Sequence, residues 1–141
     1  MCSAVEFQQQ ALYFKDQTRL PVLQRDGSVR WVTWGKPYAR ERSGSPQGAC
    51  ARHESLLAGK WQRWQPVPVK IPCQAFMERD PARAAHWFAL QDGQLIQGAL
   101  VHDADPGGGD AILRVYVVTV AASGAPAEVH ARMPRILSSG D

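Results

Sequence analysis

Cys2 is the residue with the sharpest chemical potential in this chain. Removal of Met1 leaves it with a free α-amine and a thiol on neighbouring atoms, a 1,2-aminothiol that no internal cysteine can provide. Such a group captures aldehydes. The amine condenses to an imine, and the thiolate closes onto the imine carbon to give a five-membered thiazolidine that resists hydrolysis. Reference pKa values of about 7.7–8.0 for the amine and about 8.5 for the thiol put both within reach of modest local electrostatics near neutral pH. A zinc site from Cys50, His53 and Cys73 is a remote option, because Cys-x-x-His with one distant cysteine lacks a clear fourth ligand.

These residues need a scaffold, and 141 residues are enough to bury a core without metal or disulfide support. One domain over residues 1–141 is the expectation. The composition is 45% hydrophobic and 21% charged with five tryptophans, which reads as globular and not as disordered or membrane-embedded. No apolar run is long enough for a bilayer, and residues near Met1 lack the basic flank and apolar centre of a signal peptide. A cytoplasmic, monomeric protein is therefore expected. Three cysteines without a C-x-x-C pair argue against a disulfide framework. The net charge of +3 tolerates a polyanion but does not by itself imply one.

Along the chain, the spacing of Val5, Phe7, Ala11, Leu12 and Phe14 suggests a short helix over residues 4–17. A strand over residues 20–23, a turn at Arg25-Asp26-Gly27-Ser28 and a strand over residues 29–34 form a hairpin. Residues 40–48 are polar with two glycines and a proline, so they read as a surface loop and as the segment most expected to lack order. Residues 49–60 read as a helix of two to three turns stopped by Gly59. Three prolines in residues 65–72 forbid helix and suit an extended edge segment that delivers residues 73–78 to a fixed place. Strands follow at 86–90, 95–101 and 112–120, with a tight turn at 91–94 and a flexible connection at 105–110. The glycine run there lacks the Gly-Lys-Ser/Thr ending of a phosphate loop. The fold class is α+β: a β-rich domain with antiparallel sheets and two or three short helices.

Four stretches then stand out together. Cys50-Ala51-Arg52-His53-Glu54-Ser55 looks like an Asn-Ala-Arg-Ala-Glu-Thr motif, and residues 72–79 look like Pro-Ala-Asp-Gly-Phe-Tyr-Glu-Trp. Trp34-Gly35-Lys36-Pro37 is similar to Trp-Gly-x-x-Pro, and residues 129–137 are similar to Ile-His-Asp-Arg-Met-Pro-Val-Ile-Leu. In this order, behind Met1-Cys2, they resemble the SOS-response-associated peptidase (SRAP) family of abasic-site processing proteins. The resemblance implies binding of single-stranded DNA, no cofactor, and a covalent link between Cys2 and the ring-opened aldehyde of an abasic site. It assigns Cys2 as nucleophile, Glu78 as the carboxylate beside the α-amine, and His130 as the acid/base that helps open the sugar. Arg52 and Arg132 would hold phosphates and Trp34 would stack on a base.

Two departures bear on the site. The chain opens Met1-Cys2-Ser3-Ala4 where the pattern has Met-Cys-Gly-Arg, and Cys50 replaces the motif's asparagine. Without the motifs, Glu78 reads as a surface carboxylate, His130 as an ordinary hydrogen-bonded histidine, Arg52 as a partner of Glu54, and Trp34 as a core residue. An N-terminal-nucleophile cysteine amidase or peptidase, in which the amine serves as base, and a non-catalytic DNA-binding module are the alternative functions.

Overall fold

In the computed structural model, which describes residues 2–104 and 108–138, the chain opens as a hairpin of β1 (Ala4–Phe7) and β2 (Gln10–Tyr13). The helix expected over residues 4–17 does not form. Gln8 and Gln9 take left-handed backbone angles, φ 50° and 67°, and so turn the chain in two residues as hairpin loops with positive φ do. Only Phe14–Asp16 is helical, as a single 3-10 turn ended by Gln17 at φ 52°.

The next hairpin follows the expectation: β3 (Arg19–Leu23) pairs antiparallel with β4 (Val29–Trp34). Its turn is closed by the Ser28 N–H donating to the Asp26 carboxylate at 2.9 Å. The helix expected over residues 49–60 is shorter than predicted. Its first residues form β5 (Cys50–Arg52), and the helix α1 runs only over His53–Leu57, followed by a 3-10 turn at Gln62–Trp64. The proline-rich segment is β6 (Val67–Ile71), paired with one edge of a later strand. After it come β7 (Ala75–Arg79), β8 (Ala85–Ala89), β9 (Leu95–Asp103), β10 (Ile112–Ala121), a 3-10 turn at Ala125–Glu128, β11 (Arg132–Pro134) and β12 (Ile136–Leu137). The flexible connection expected at 105–110 lies partly outside the described residues.

Two sheets result. One has the order β2-β1-β7-β8, and the other runs β12-β9-β10-β4-β3 with β5, β6 and β11 attached. The sheets are mainly antiparallel, as expected, and two pairings within them are parallel, β10 with β4 and β10 with β5. They arise because β4 and β5 are two pieces laid along the same edge of β10, separated by an excursion over residues 36–49. Gly35 N–H donates to the Val115 carbonyl at 2.8 Å where the chain leaves, and Val117 N–H donates to the Ala49 carbonyl at 3.0 Å where it returns. Lys36 and Gly48 pinch the neck with paired backbone bonds of 3.1 and 2.7 Å. Gly35 sits at φ 55°, and a Cβ there would come 2.1 Å from the Gly48 oxygen, so only glycine fits.

The loop expected to lack order is braced from beneath. Asp103, buried at the end of β9, accepts from the Ser45 N–H at 2.8 Å, Lys36 Nζ at 3.0 Å and Arg114 Nε at 2.9 Å. Burial raises its carboxyl pKa, but these bonds outweigh burial and hold it below the ordinary carboxylate value. Asp103→Asn leaves two cations with a neutral partner and is expected to cost about 3–5 kcal/mol, as breaking a buried pair does. Urea unfolding checks this, and a loss well below that range would show that the brace is dispensable.

The main core lies between the sheets and includes Cys2, Val5, Leu20, Trp34, Ile71, Phe76, Ile96, Val115 and Val117. A smaller cluster of Ala51, Trp61, Val101 and Tyr116 packs beneath Leu56 and Trp64 on the other face of β10. That strand is thus buried on both sides, which explains its continuous apolar run. Among the described residues no helix is long and apolar enough to cross a membrane.

Candidate active site

Three segments far apart in sequence meet at the Glu78 end of β7. The first is set by strand pairing: Ala4 stands opposite Met77 in the antiparallel β1–β7 ladder, so the register carried one residue on sets Ser3 across from Glu78. Cys2 is therefore delivered to the Glu78 end of β7. The second is β5, whose Cys50 pairs in register with Val117 and points its thiol at the first segment. Cys50 Sγ lies 3.3 Å from the Cys2 carbonyl oxygen, to which it donates. The third is the 3-10 turn before β11, which hands over His130 through its N–H bond to the Pro126 carbonyl at 3.0 Å. His130 Nδ1 lies 4.0 Å from Glu78 Oε1.

The electrostatics of this cluster are those of a dry site. Cys2 and Glu78 are both 0% exposed. Burial, and secondarily the neighbouring Cys50 and Glu78, push the Cys2 thiol well above its ordinary pKa. Burial likewise lifts Cys50 to about 12, so at neutral pH it remains a thiol that can donate to the Cys2 carbonyl. Burial raises the Glu78 carboxyl too, with His130 among the groups opposing the shift. His130 Nδ1 lies 3.0 Å from the Arg132 backbone nitrogen and 3.2 Å from the Arg132 carbonyl oxygen, so the backbone of Arg132 fixes the orientation of the ring. Its side chain is 31% exposed, so the imidazole links the buried carboxylate to the surface.

Some of the expected site residues serve other ends. Trp34 cannot stack on a base. It is 1% exposed, donates its indole N–H to the Ala49 carbonyl at 3.0 Å, and meets the Phe14 ring edge-on at 5.7 Å. Its work is to tie the end of β4 to the residue before Cys50. Arg132 is largely committed to its own chain: Nη1 pairs with Glu54 Oε2 at 2.9 Å, and Nη2 donates to the Thr119 carbonyl at 2.8 Å. The Glu54 partner assigned from sequence to Arg52 thus belongs to Arg132, and Arg52 stands exposed on the same edge of β5 as Cys50, two residues on. Among the described residues no group of three or more His, Cys, Asp or Glu side chains is placed to hold a metal, so Cys50, His53 and Cys73 do not form a zinc site. Sequence reasoning missed Thr119 as a partner of Arg132, a role that its position in a β-branched run does not signal.

A sequence model described as "SOS response associated peptidase (SRAP)" matches residues 4–141. The chain belongs to the SRAP family. The matched span takes in Glu78, His130, Cys50 and both arginines, and begins two residues after Cys2. No protein with a curated description matches the chain. Within the SRAP fold, then, the members of the cluster around the start of β1 come from the motif-bearing stretches and from Cys2, two residues ahead of the matched span.

Proposed function

We propose that this SRAP protein captures abasic sites in single-stranded DNA as a covalent adduct of Cys2, after releasing its own Met1. The observation that carries the reading is the convergence of Cys2, Glu78 and His130 from three distant segments, two of them fully buried. Release of Met1 hydrolyses the Met1–Cys2 peptide bond: water supplies the hydroxyl of the new methionine carboxyl, and Glu78 takes its proton and passes it to the departing Cys2 nitrogen. The product is an α-amine on Cys2 beside a carboxylate. In its protonated form that amine favours the thiolate and draws the Cys2 thiol down from its raised pKa, and Glu78 takes the ammonium proton when the amine attacks. While Met1 is attached, the nucleophile stays protonated and buried.

Capture then runs in three balanced steps. A proton from His130 to the ring oxygen, with the C1′ hydroxyl proton returned to the imidazole, opens the deoxyribose to its aldehyde. The Cys2 amine adds to the aldehyde carbon and water leaves, giving the imine. The thiolate adds to the imine carbon and the nitrogen takes up a proton, closing the thiazolidine. No oxidant or further reactant is needed.

The test is a mass measurement followed by an adduct assay. Purified protein is expected to lack Met1 and to form a denaturation-resistant complex with single-stranded DNA carrying an abasic site, and none with intact DNA. Full retention of Met1 with no complex would overturn the reading, and turnover of a peptide substrate without a DNA adduct would favour an amidase.

A further inference from the structure

The buried cluster must be reached from solvent, and a cleft of about 550 Å³ stands at its exposed end, with Ser3, His130, Arg79, Asp80, Pro81 and Arg83 in its lining. Ser3 adjoins Cys2, and His130 contacts Glu78, so a sugar entering here arrives at the amino terminus with its acid/base beside it. An abasic nucleotide offers no base to grip. The charged handles nearest its reacting carbon are the flanking phosphates, and the rim of this cleft carries two guanidinium groups.

We propose that Arg79 and Arg83 seat a backbone phosphate next to the abasic sugar and so hold its C1′ over Cys2; this rests on the abasic-DNA reading above. The turn between β7 and β8 is built to present them. Asp80 accepts from the Ala84 N–H at 2.9 Å and contacts His86 Nε2 at 2.8 Å, so the one acid of the rim is used within the turn. The Arg83 N–H donates to the Asp80 carbonyl at 2.8 Å, and Arg83 holds φ 68°, a left-handed angle that a non-glycine residue seldom adopts. Arg79 Nη1 donates to the Arg83 carbonyl at 2.9 Å, which fixes one guanidinium against the other residue's backbone. One of the five N–H donors of Arg79 is thereby used, and the rest remain for a ligand. Both side chains are exposed, and among the described residues neither shares an ion pair with a carboxylate. Arginine forks match phosphate oxygens in bidentate geometry, which supplies orientation as well as attraction.

The experiment compares the parent, the Arg79→Ala/Arg83→Ala double variant and the Arg79→Lys/Arg83→Lys double variant. For undamaged single-stranded DNA, the slope of log affinity against log salt is expected to fall by about 0.7 in the alanine pair for one lost phosphate contact. The lysine pair keeps the charge and the slope. Adduct yield with abasic DNA drops in the alanine pair at limiting DNA and recovers at saturating DNA. Reaction of Cys2 with propionaldehyde, read by mass, is unchanged. An unaltered slope and half-saturation in the alanine pair would overturn the proposal while leaving abasic capture intact. A parent that forms no adduct, yet loses its salt slope in the alanine pair, would retain the phosphate seat and remove the capture chemistry.

Discussion

Cys2→Ser is expected to abolish the denaturation-resistant adduct with abasic single-stranded DNA while leaving a trace that only borohydride reveals. Serine keeps the α-amine, so where Met1 is absent the imine still forms. The hydroxyl is a far weaker nucleophile than a thiolate and closes the ring poorly, so the imine hydrolyses when the complex is denatured. Reduction of that imine to an amine, with borohydride supplying hydride to its carbon, fixes the link. The variant also reads the first step, because a protein that removes Met1 by means of its own Cys2 chemistry would retain Met1 once the thiol is gone. Intact mass and the two adduct assays therefore report separately on thiol and amine. Equal denaturation-resistant adduct from parent and variant would rule out the thiazolidine.

Much of the scaffold was readable from residue types alone. The strands β3, β4, β8, β9 and β10 are rich in β-branched and aromatic residues and are bounded by turn chemistry such as Asp26-Gly27 and Asp92-Gly93, and they fall where expected. The first hairpin was not readable, since its turn is Gln8-Gln9 and glutamine carries none of the signals of a left-handed residue. Nor was β5: Cys50-Ala51-Arg52 has no strand preference, and what makes it extended is the open edge of β10 beyond β4. The same long-range pairing explains the parallel arrangement, because no local pattern announces that a chain will return to the edge it has just left.

The site divides along similar lines. Motif order pointed to Cys2, Glu78 and His130 as one group, and the β1–β7 register is the physical means by which the first two meet. Periodicity could not distinguish a buried Trp34 from a stacking one, since an indole suits both settings. Its burial follows from the Gly35–Gly48 neck and the carbonyl of Ala49. The Glu54–Arg132 pair joins residues 78 apart and depends on α1 lying over the end of β10, so a local rule naturally favoured the nearer Arg52. Cys50 is the most informative of the departures. It stands where the motif has an amide and still donates a hydrogen bond, through sulfur, to the backbone of Cys2.

Glu78→Gln is expected to separate activity from stability. The amide has the shape of the acid but accepts no proton, so Met1 release and adduct formation should slow by about 10²–10⁴, the usual worth of a positioned acid or base. In the parent, both rates should rise with pH as Glu78 ionises, and at a higher pH than an exposed glutamate would give, because burial raises its carboxyl. Stability moves the other way. With the folded pKa above the unfolded one, the protonated acid contributes fully below the unfolded value of about 4.3, and that contribution is lost as pH rises through the folded value. The neutral amide escapes this loss, so melting temperatures of parent and variant should coincide in acid and diverge toward neutral pH, with the variant the more stable. A variant that keeps parental rates would remove Glu78 from the chemistry. One that is less stable at neutral pH would mean that the ionised carboxylate is held by its surroundings more firmly than burial opposes it.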